Sequence, residues 1–202
     1  MPLEAVVFDL GNVLIDWNPR HLYRKLFSDP AGIEDFLGRI CTAEWHRQHD
    51  LGRPMVETCA ELAAKFPDQA GLIHAWRERF AEMLPGPVPG TPDLLERLAQ
   101  KHVPLFALTN WPAETFGAAR MRFPFLRHFR DIVISGEIGI AKPDPKIFAI
   151  LAERNALRPS ATLFIDDHAP NVAAAVALGF VTHRFQSAQA LGADLIHLGL
   201  LA

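Results

Sequence analysis

The sequence predicts an α/β protein whose parallel sheet is covered by helices on both faces, with a helical module inserted after the first strand. Three observations carry that reading. From about residue 87 onward, short apolar runs rich in branched and aromatic residues alternate with capped helix signals. The long stretch between the first and second runs holds helical periodicity and no convincing strand. A proline-rich segment closes that stretch.

In chain order, the first buried-strand candidate is residues 4–9, where Ala5, Val6, Val7 and Phe8 run uninterrupted to Asp9. In the segment that follows, Met55, Cys59, Leu62 and Phe66 recur at helical spacing, as do Leu72, Ile73, Trp76, Phe80 and Met83. A small helical module is expected there. Its exit, residues 84–92, contains Pro85, Pro87, Pro89 and Pro92, too many prolines for a helix or a central strand, and reads as a hinge-like linker. Thr91-Pro92 then places an N-cap before a proline at the first helical position, with Leu94, Leu95 and Leu98 on one face. Further strand candidates lie at 103–108, 131–135, 162–165 and 180–182. Asp144-Pro145 repeats the cap ahead of Ile147, Phe148 and Leu151. Pro170 opens a helix that carries Val172, Ala173 and Val176 and stops at Gly179, a residue that tolerates a left-handed C-terminal turn.

Composition narrows the function. With 202 residues, half of them hydrophobic and 21% charged, the chain can bury a core and is not disordered. A net charge of −3 lacks the basic excess that a phosphate backbone requires, so nucleic acid is not expected as the main partner. No cationic segment precedes an apolar run near the start, and no apolar run approaches the length of a bilayer span, so neither a secretory signal nor a membrane partner is expected. Cys41 and Cys59 belong to no C-x-x-C motif and suit reduced, buried thiols in a cytoplasmic protein.

In open parallel sheets ligands bind beyond the carboxyl ends of the strands. The strand ends of this sequence deliver Asp9, Thr109 with Asn110, and the pair Asp166-Asp167, while Lys142 precedes the helix that starts at Asp144-Pro145. Three carboxylates, a hydroxyl, an amide and an ammonium from separate segments suit phosphoryl transfer. Asp9 can act as nucleophile, yet a dianionic phosphate repels it. A hard divalent cation held by Asp9 and Asp167, with magnesium the expected ion, would offset that repulsion. Lys142 would hold the nucleophile and a phosphate oxygen, and Thr109 with neighbouring N–H groups would bind the remaining oxygens. The expected substrate is a small phosphate ester.

Four ordered segments carry a resemblance: Phe8-Asp9-Leu10-Gly11-Asn12-Val13, Leu108-Thr109-Asn110, Gly139-Ile140-Ala141-Lys142-Pro143, and Phe164-Ile165-Asp166-Asp167 followed by Asn171. Together they resemble the motifs of the haloacid dehalogenase superfamily, and the likeness spans the whole chain. The resemblance implies a Rossmann-like core from residues 1–15 and 86–202, with residues 16–85 as an inserted helical cap. It also implies a nucleophile at Asp9 and metal ligation by Asp9, the Gly11 carbonyl and Asp167, with Asp166 acting through water.

One departure matters. Phosphatases of that family usually carry a second Asp two residues after the nucleophile, where it protonates the leaving oxygen. Gly11 stands there and offers no proton. Candidate replacements are Asp16, His46 and His49. The wording Phe-Asp-Leu-Gly-Asn-Val is similar to a bacterial subgroup that includes a sugar-phosphate phosphatase. A metal-free dehalogenase is the first alternative, since those enzymes use the same Asp, but two adjacent acids beside an anionic nucleophile favour a cation site. A phosphate-binding homologue with weak turnover is the second. Substrate contacts are expected from Asn110, Trp111 and His46, with Trp17 as a further wall, although the run Trp45–Asp50 equally suits the polar face of a helix. Arg120, Arg122, Arg127 and Arg130 read as a solvated helix end or a subunit contact, and the protein as a monomer or homodimer.

Overall fold

The computed structural model describes residues 2–202. Five strands form one sheet: β1 (Ala5–Phe8), β2 (Leu105–Thr109), β3 (Asp131–Ile134), β4 (Thr162–Asp166) and β5 (Val181–Arg184). Their spatial order is β3-β2-β1-β4-β5, every neighbouring pair is parallel, and β1 pairs with β4 in the register Phe8 opposite Ile165. The chain therefore builds outward from β1 to β3 and then returns to the other side of β1. That reversal leaves a crevice at the carboxyl ends of β1 and β4. This is the α/β, Rossmann-like core that the sequence predicts.

Alternate residues of the strands face opposite layers, as the two-residue period of a strand dictates. Val6, Phe8, Ala107, Ile132, Leu163 and Ile165 join one apolar cluster, which also takes in Leu94, Leu95 and Leu98 of the helix Thr91–Gln100 and Leu191 and Leu195 of the helix Ala188–His197. Ala5, Val7, Phe106, Leu108, Val133 and Phe164 join the other, against Ile147, Phe148 and Leu151 of the helix Pro145–Arg154. Asp144 caps that helix by accepting from the Lys146 N–H, as expected. One local expectation is corrected. Gly90, in a left-handed conformation (φ +82°), is the N-cap of the helix Thr91–Gln100, because the Thr91 hydroxyl donates to the Val88 carbonyl instead of capping. On the helix Ala169–Ala177 the buried residues are Asn171 and Ala175, and Val176 is exposed.

Between β1 and β2 the regular elements are all helices, and those of the inserted segment are chiefly Pro30–Arg39, Ala43–Asp50, Met55–Lys65 and Ala70–Glu78. Met55, Cys59, Leu62, Ile73 and Trp76 point inward and merge with the cluster on one face of the sheet. Both cysteines are buried free thiols. The outgoing and returning chains run side by side: Asp16 N donates to Gly86 O, Val88 N to Leu14 O, and Ile15 pairs with Pro87 in an isolated antiparallel bridge. The proline-rich return is further held by the Arg122 guanidinium, which donates to the carbonyls of Ala81 and Pro85. The other three arginines of that run are exposed, as a solvated helix end requires. Among the described residues no helix is long and apolar enough to cross a membrane.

Candidate active site

Each strand facing the crevice ends in a polar residue because the apolar run that drives its burial stops there. Asp9 follows β1 directly. Its N–H donates to Ile165 O of β4, and its carboxylate accepts from the Leu10 N–H at 2.7 Å. Asp166 closes β4 and is wholly buried. Its oxygens accept from the His168 N–H, from the Asn171 amide one turn into the next helix, and from Lys142. Lys142 Nζ lies 2.7 Å from Asp166 Oδ2 and 3.0 Å from Asp9 Oδ1, with only 1% of its side chain exposed. Asn110 anchors the lysine from the end of β2: its Oδ1 accepts from Lys142 N, and its Nδ2 donates to Lys142 O. The amide of Asn110 is thus committed to holding Lys142.

Oxygens of Asp9, Asp166 and Asp167 all lie within 4.8 Å of one another. The chain thus brings together three of the four predicted metal-site residues through their side chains, and Gly11 lines one cavity with two of them, Asp9 and Asp167. Burial raises the pKa of Asp9 to about 7, with Lys142 opposing the shift and Asp166 and Asp167 adding to it. Burial and the neighbouring Asp166 likewise raise Asp167. For Lys142, burial alone would favour the neutral amine, but Asp9 and Asp166 outweigh it and lift the pKa above the ordinary lysine value. Once ionised, three carboxylates against one ammonium leave two negative charges uncompensated. An all-oxygen set with that charge fits a hard divalent cation. Thr109, at the end of β2, is fully buried, and its hydroxyl has no hydrogen-bond partner.

A cavity of about 170 Å³ opens beside Asp9, Gly11 and Asp167. Trp17, His46, Asp50 and Phe80 enter it from the segment between β1 and β2, and Trp111 from the end of β2. The predicted substrate contacts Asn110, Trp111 and His46 therefore all border one space. Phe80, which recurs at helical spacing in the inserted segment, and Asp50, the end of the run Trp45–Asp50, join them. Asp50 had a legible signal, since it lies four residues after His46 on one helix face. A larger groove of about 720 Å³ lies along the β3 edge among Arg120, Arg127, Arg130 and Arg154, and it contains none of the three clustered carboxylates.

The candidate replacements for a proton donor at Gly11 fare differently. Asp16 lies 3.0 Å from His21 Nε2 and does not border the cavity. His46 stacks on Trp17 at a centroid distance of 5.1 Å, and burial lowers its pKa to about 3. His49 is wholly buried, places Nε2 2.7 Å from the Thr58 hydroxyl, and is lowered to about 4, again chiefly by burial. Both imidazoles are unprotonated at neutral pH and hold no cationic proton to give.

The chain is similar to several known proteins. A family model described as haloacid dehalogenase-like hydrolase matches residues 3–179. A phosphorylated carbohydrates phosphatase of Thermotoga maritima is 24% identical over 201 residues, covering 94% of this chain and 90% of the relative. A glyceraldehyde 3-phosphate phosphatase of Methanopyrus kandleri is 31% identical over 209 residues, covering 91% of this chain and 84% of the relative. Among solved structures, a HAD family enzyme from Bacteroides thetaiotaomicron, determined in complex with magnesium and inorganic phosphate, superposes with a TM-score of 0.68 at 20% identity, covering 92% of this chain and 95% of that one.

Proposed function

Since this chain belongs to the haloacid dehalogenase-like hydrolases, we propose that it hydrolyses small phosphomonoesters, with Asp9 as the nucleophile. The observation that carries this reading is the gathering of Asp9, Asp166 and Asp167 within 4.8 Å around the buried ammonium of Lys142. Such a set has a use at a phosphate and none at a neutral carbon–halogen bond, where two extra acids would only oppose the anionic nucleophile. The phosphatase names of the Thermotoga and Methanopyrus relatives support the same substrate class, with sugar phosphates the first to test.

In this reading Asp9 Oδ attacks phosphorus, the bond to the leaving oxygen breaks, and an aspartyl phosphate forms that water then hydrolyses. Lys142 keeps the Asp9 carboxylate oriented and favours its ionised form, and the free hydroxyl of Thr109 donates to a phosphoryl oxygen. Asp9, Asp167 and Gly11 would hold magnesium, with Asp166 acting through water. When bound, that ion supplies the positive charge that lets two anions approach and that polarises the phosphoryl oxygens. Asp166 fits a supporting role, because its own oxygens are already engaged by Lys142, Asn171 and the His168 N–H. Residues 16–85 act as the cap over residues 1–15 and 86–202, and Trp17, Phe80 and Trp111 wall the substrate from bulk water.

Chelation provides the test. EDTA is expected to abolish phosphate release and magnesium to restore it. Magnesium should also raise the thermal midpoint of the wild type but not of Asp167→Asn. Phosphate release that survives exhaustive chelation would contradict the reading.

A further inference from the structure

An alkyl phosphate leaves as an alkoxide, which must be protonated, and Gly11 beside the nucleophile has no side chain to do it. The candidates are the groups that border the cavity. Asp9 is the attacking group, Asp167 belongs to the cation site, and His46 is unprotonated at neutral pH. One ionisable group remains. Resting on the phosphatase reading above, we propose that Asp50 is the acid that protonates the leaving oxygen and then the base that activates water.

Its placement is built in. Asp50 ends the helix Ala43–Asp50, whose Thr42 cap accepts from Trp45 N. Two residues on, Gly52 (φ +87°) comes so close to the short helix Ser135–Ile138 after β3 that a Cβ there would sit 2.8 Å from Gly136 O. A Cβ on Gly136 would in turn lie 2.6 Å from both Trp111 O and Ala113 N and 3.3 Å from His49 O. Three backbones touch at these glycines, so the end of this helix is seated through Gly136 on the segment after β2 that carries Trp111. The Asp50 side chain is 13% exposed, and its Oδ1 is buried with no hydrogen-bond partner. Burial raises its pKa to about 7, with Arg47 and Lys142 opposing, so both protonation states are accessible at neutral pH. The other titratable neighbour is His46, whose Nε2 is 3.8 Å away.

The steps balance. As Asp9 Oδ bonds to phosphorus, the P–O bond to the leaving group breaks, and the Asp50 proton passes to that oxygen to give the alcohol. Asp50, now a carboxylate, takes a proton from water as the water oxygen attacks phosphorus. The P–O bond to Asp9 then breaks, releasing inorganic phosphate and restoring both residues.

Pre-steady-state kinetics of Asp50→Asn with glycerol 3-phosphate and p-nitrophenyl phosphate test this. The nitrophenolate leaving group needs no proton, so its burst should stay within about tenfold of wild type and be followed by slowed turnover. With glycerol 3-phosphate, kcat should fall by on the order of 10²–10⁴ with KM little changed. Gly11→Asp in the Asp50→Asn background should recover much of that loss, because a Cβ at Gly11 meets nothing within 4 Å. A burst lost along with glycerol phosphate turnover, a rise confined to KM, or unchanged glycerol phosphate turnover would each overturn the assignment of Asp50 while leaving the phosphatase reading intact. Absence of magnesium-dependent phosphate release by the wild type on both substrates would instead overturn the phosphatase reading, and the role of Asp50 with it.

Discussion

Replacing Asp9 with asparagine is expected to lower magnesium-dependent phosphate release by a factor on the order of 10⁴–10⁶, the loss seen when a covalent nucleophile is removed. The change is close to isosteric. An asparagine carbonyl oxygen can still accept from the Leu10 N–H and from Lys142, which now make their bonds to Asp9. It also removes one negative charge from a buried site that holds two other acids, so the fold is not expected to weaken. The amide oxygen is a poor nucleophile toward phosphorus and cannot be regenerated from an acyl phosphate by simple hydrolysis. A phosphate-release assay on the folded variant, judged by its circular dichroism and thermal midpoint, checks this. Turnover within tenfold of wild type would remove Asp9 from its assigned role.

The second large effect is on stability. Lys142→Met keeps the length and most of the volume of the side chain but deletes the ammonium that lies 3.0 Å from Asp9 and 2.7 Å from Asp166. Those two carboxylates are buried and face each other, and breaking a buried pair in this way costs about 3–5 kcal/mol. Urea denaturation in the absence of magnesium should show a loss of that size. Adding Asp166→Asn removes one of the stranded charges, so the double variant should be more stable than the sum of the two single losses predicts. Additive losses would mean that Lys142 and Asp166 are not energetically coupled.

Much of this architecture was legible because the physics is local. Buried parallel strands are short apolar runs, so all five could be located, to within a residue or two at their ends, from residues such as Val6, Val7 and Phe8 or Leu163, Phe164 and Ile165. The Asp144-Pro145 start needed only neighbouring residues to specify it. The helix Ala188–His197 escaped notice because only Leu191 and Leu195 mark its inner face, though its Ser187 cap was available as a signal. Thr91 was misread as a cap because Gly90, with its left-handed backbone, does that work one residue earlier.

The site divides along the same line. The acids at strand ends follow from the strands themselves. What the sequence withheld were relations between segments that only the sheet order and the seating of the inserted helices create. Asn110 clamps the backbone of Lys142 across 32 positions, Lys142 sits closer to Asp166 than to Asp9, and Asp50 reaches the cavity because glycines 52 and 136 let two backbones touch. No periodicity or local motif encodes those distances.

Turnover by way of Asp9 requires a covalent bond between that residue and the transferred phosphoryl group. Rapid acid quenching of wild-type protein turning over p-nitrophenyl phosphate with magnesium, followed by peptide mapping by mass spectrometry, examines that bond directly. One phosphoryl group on the peptide that contains Asp9, and none on the corresponding peptide of Asp9→Asn, is the predicted result. Steady phosphate release with no phosphoryl group on Asp9 at any quench time, or with the label on another residue, would contradict it.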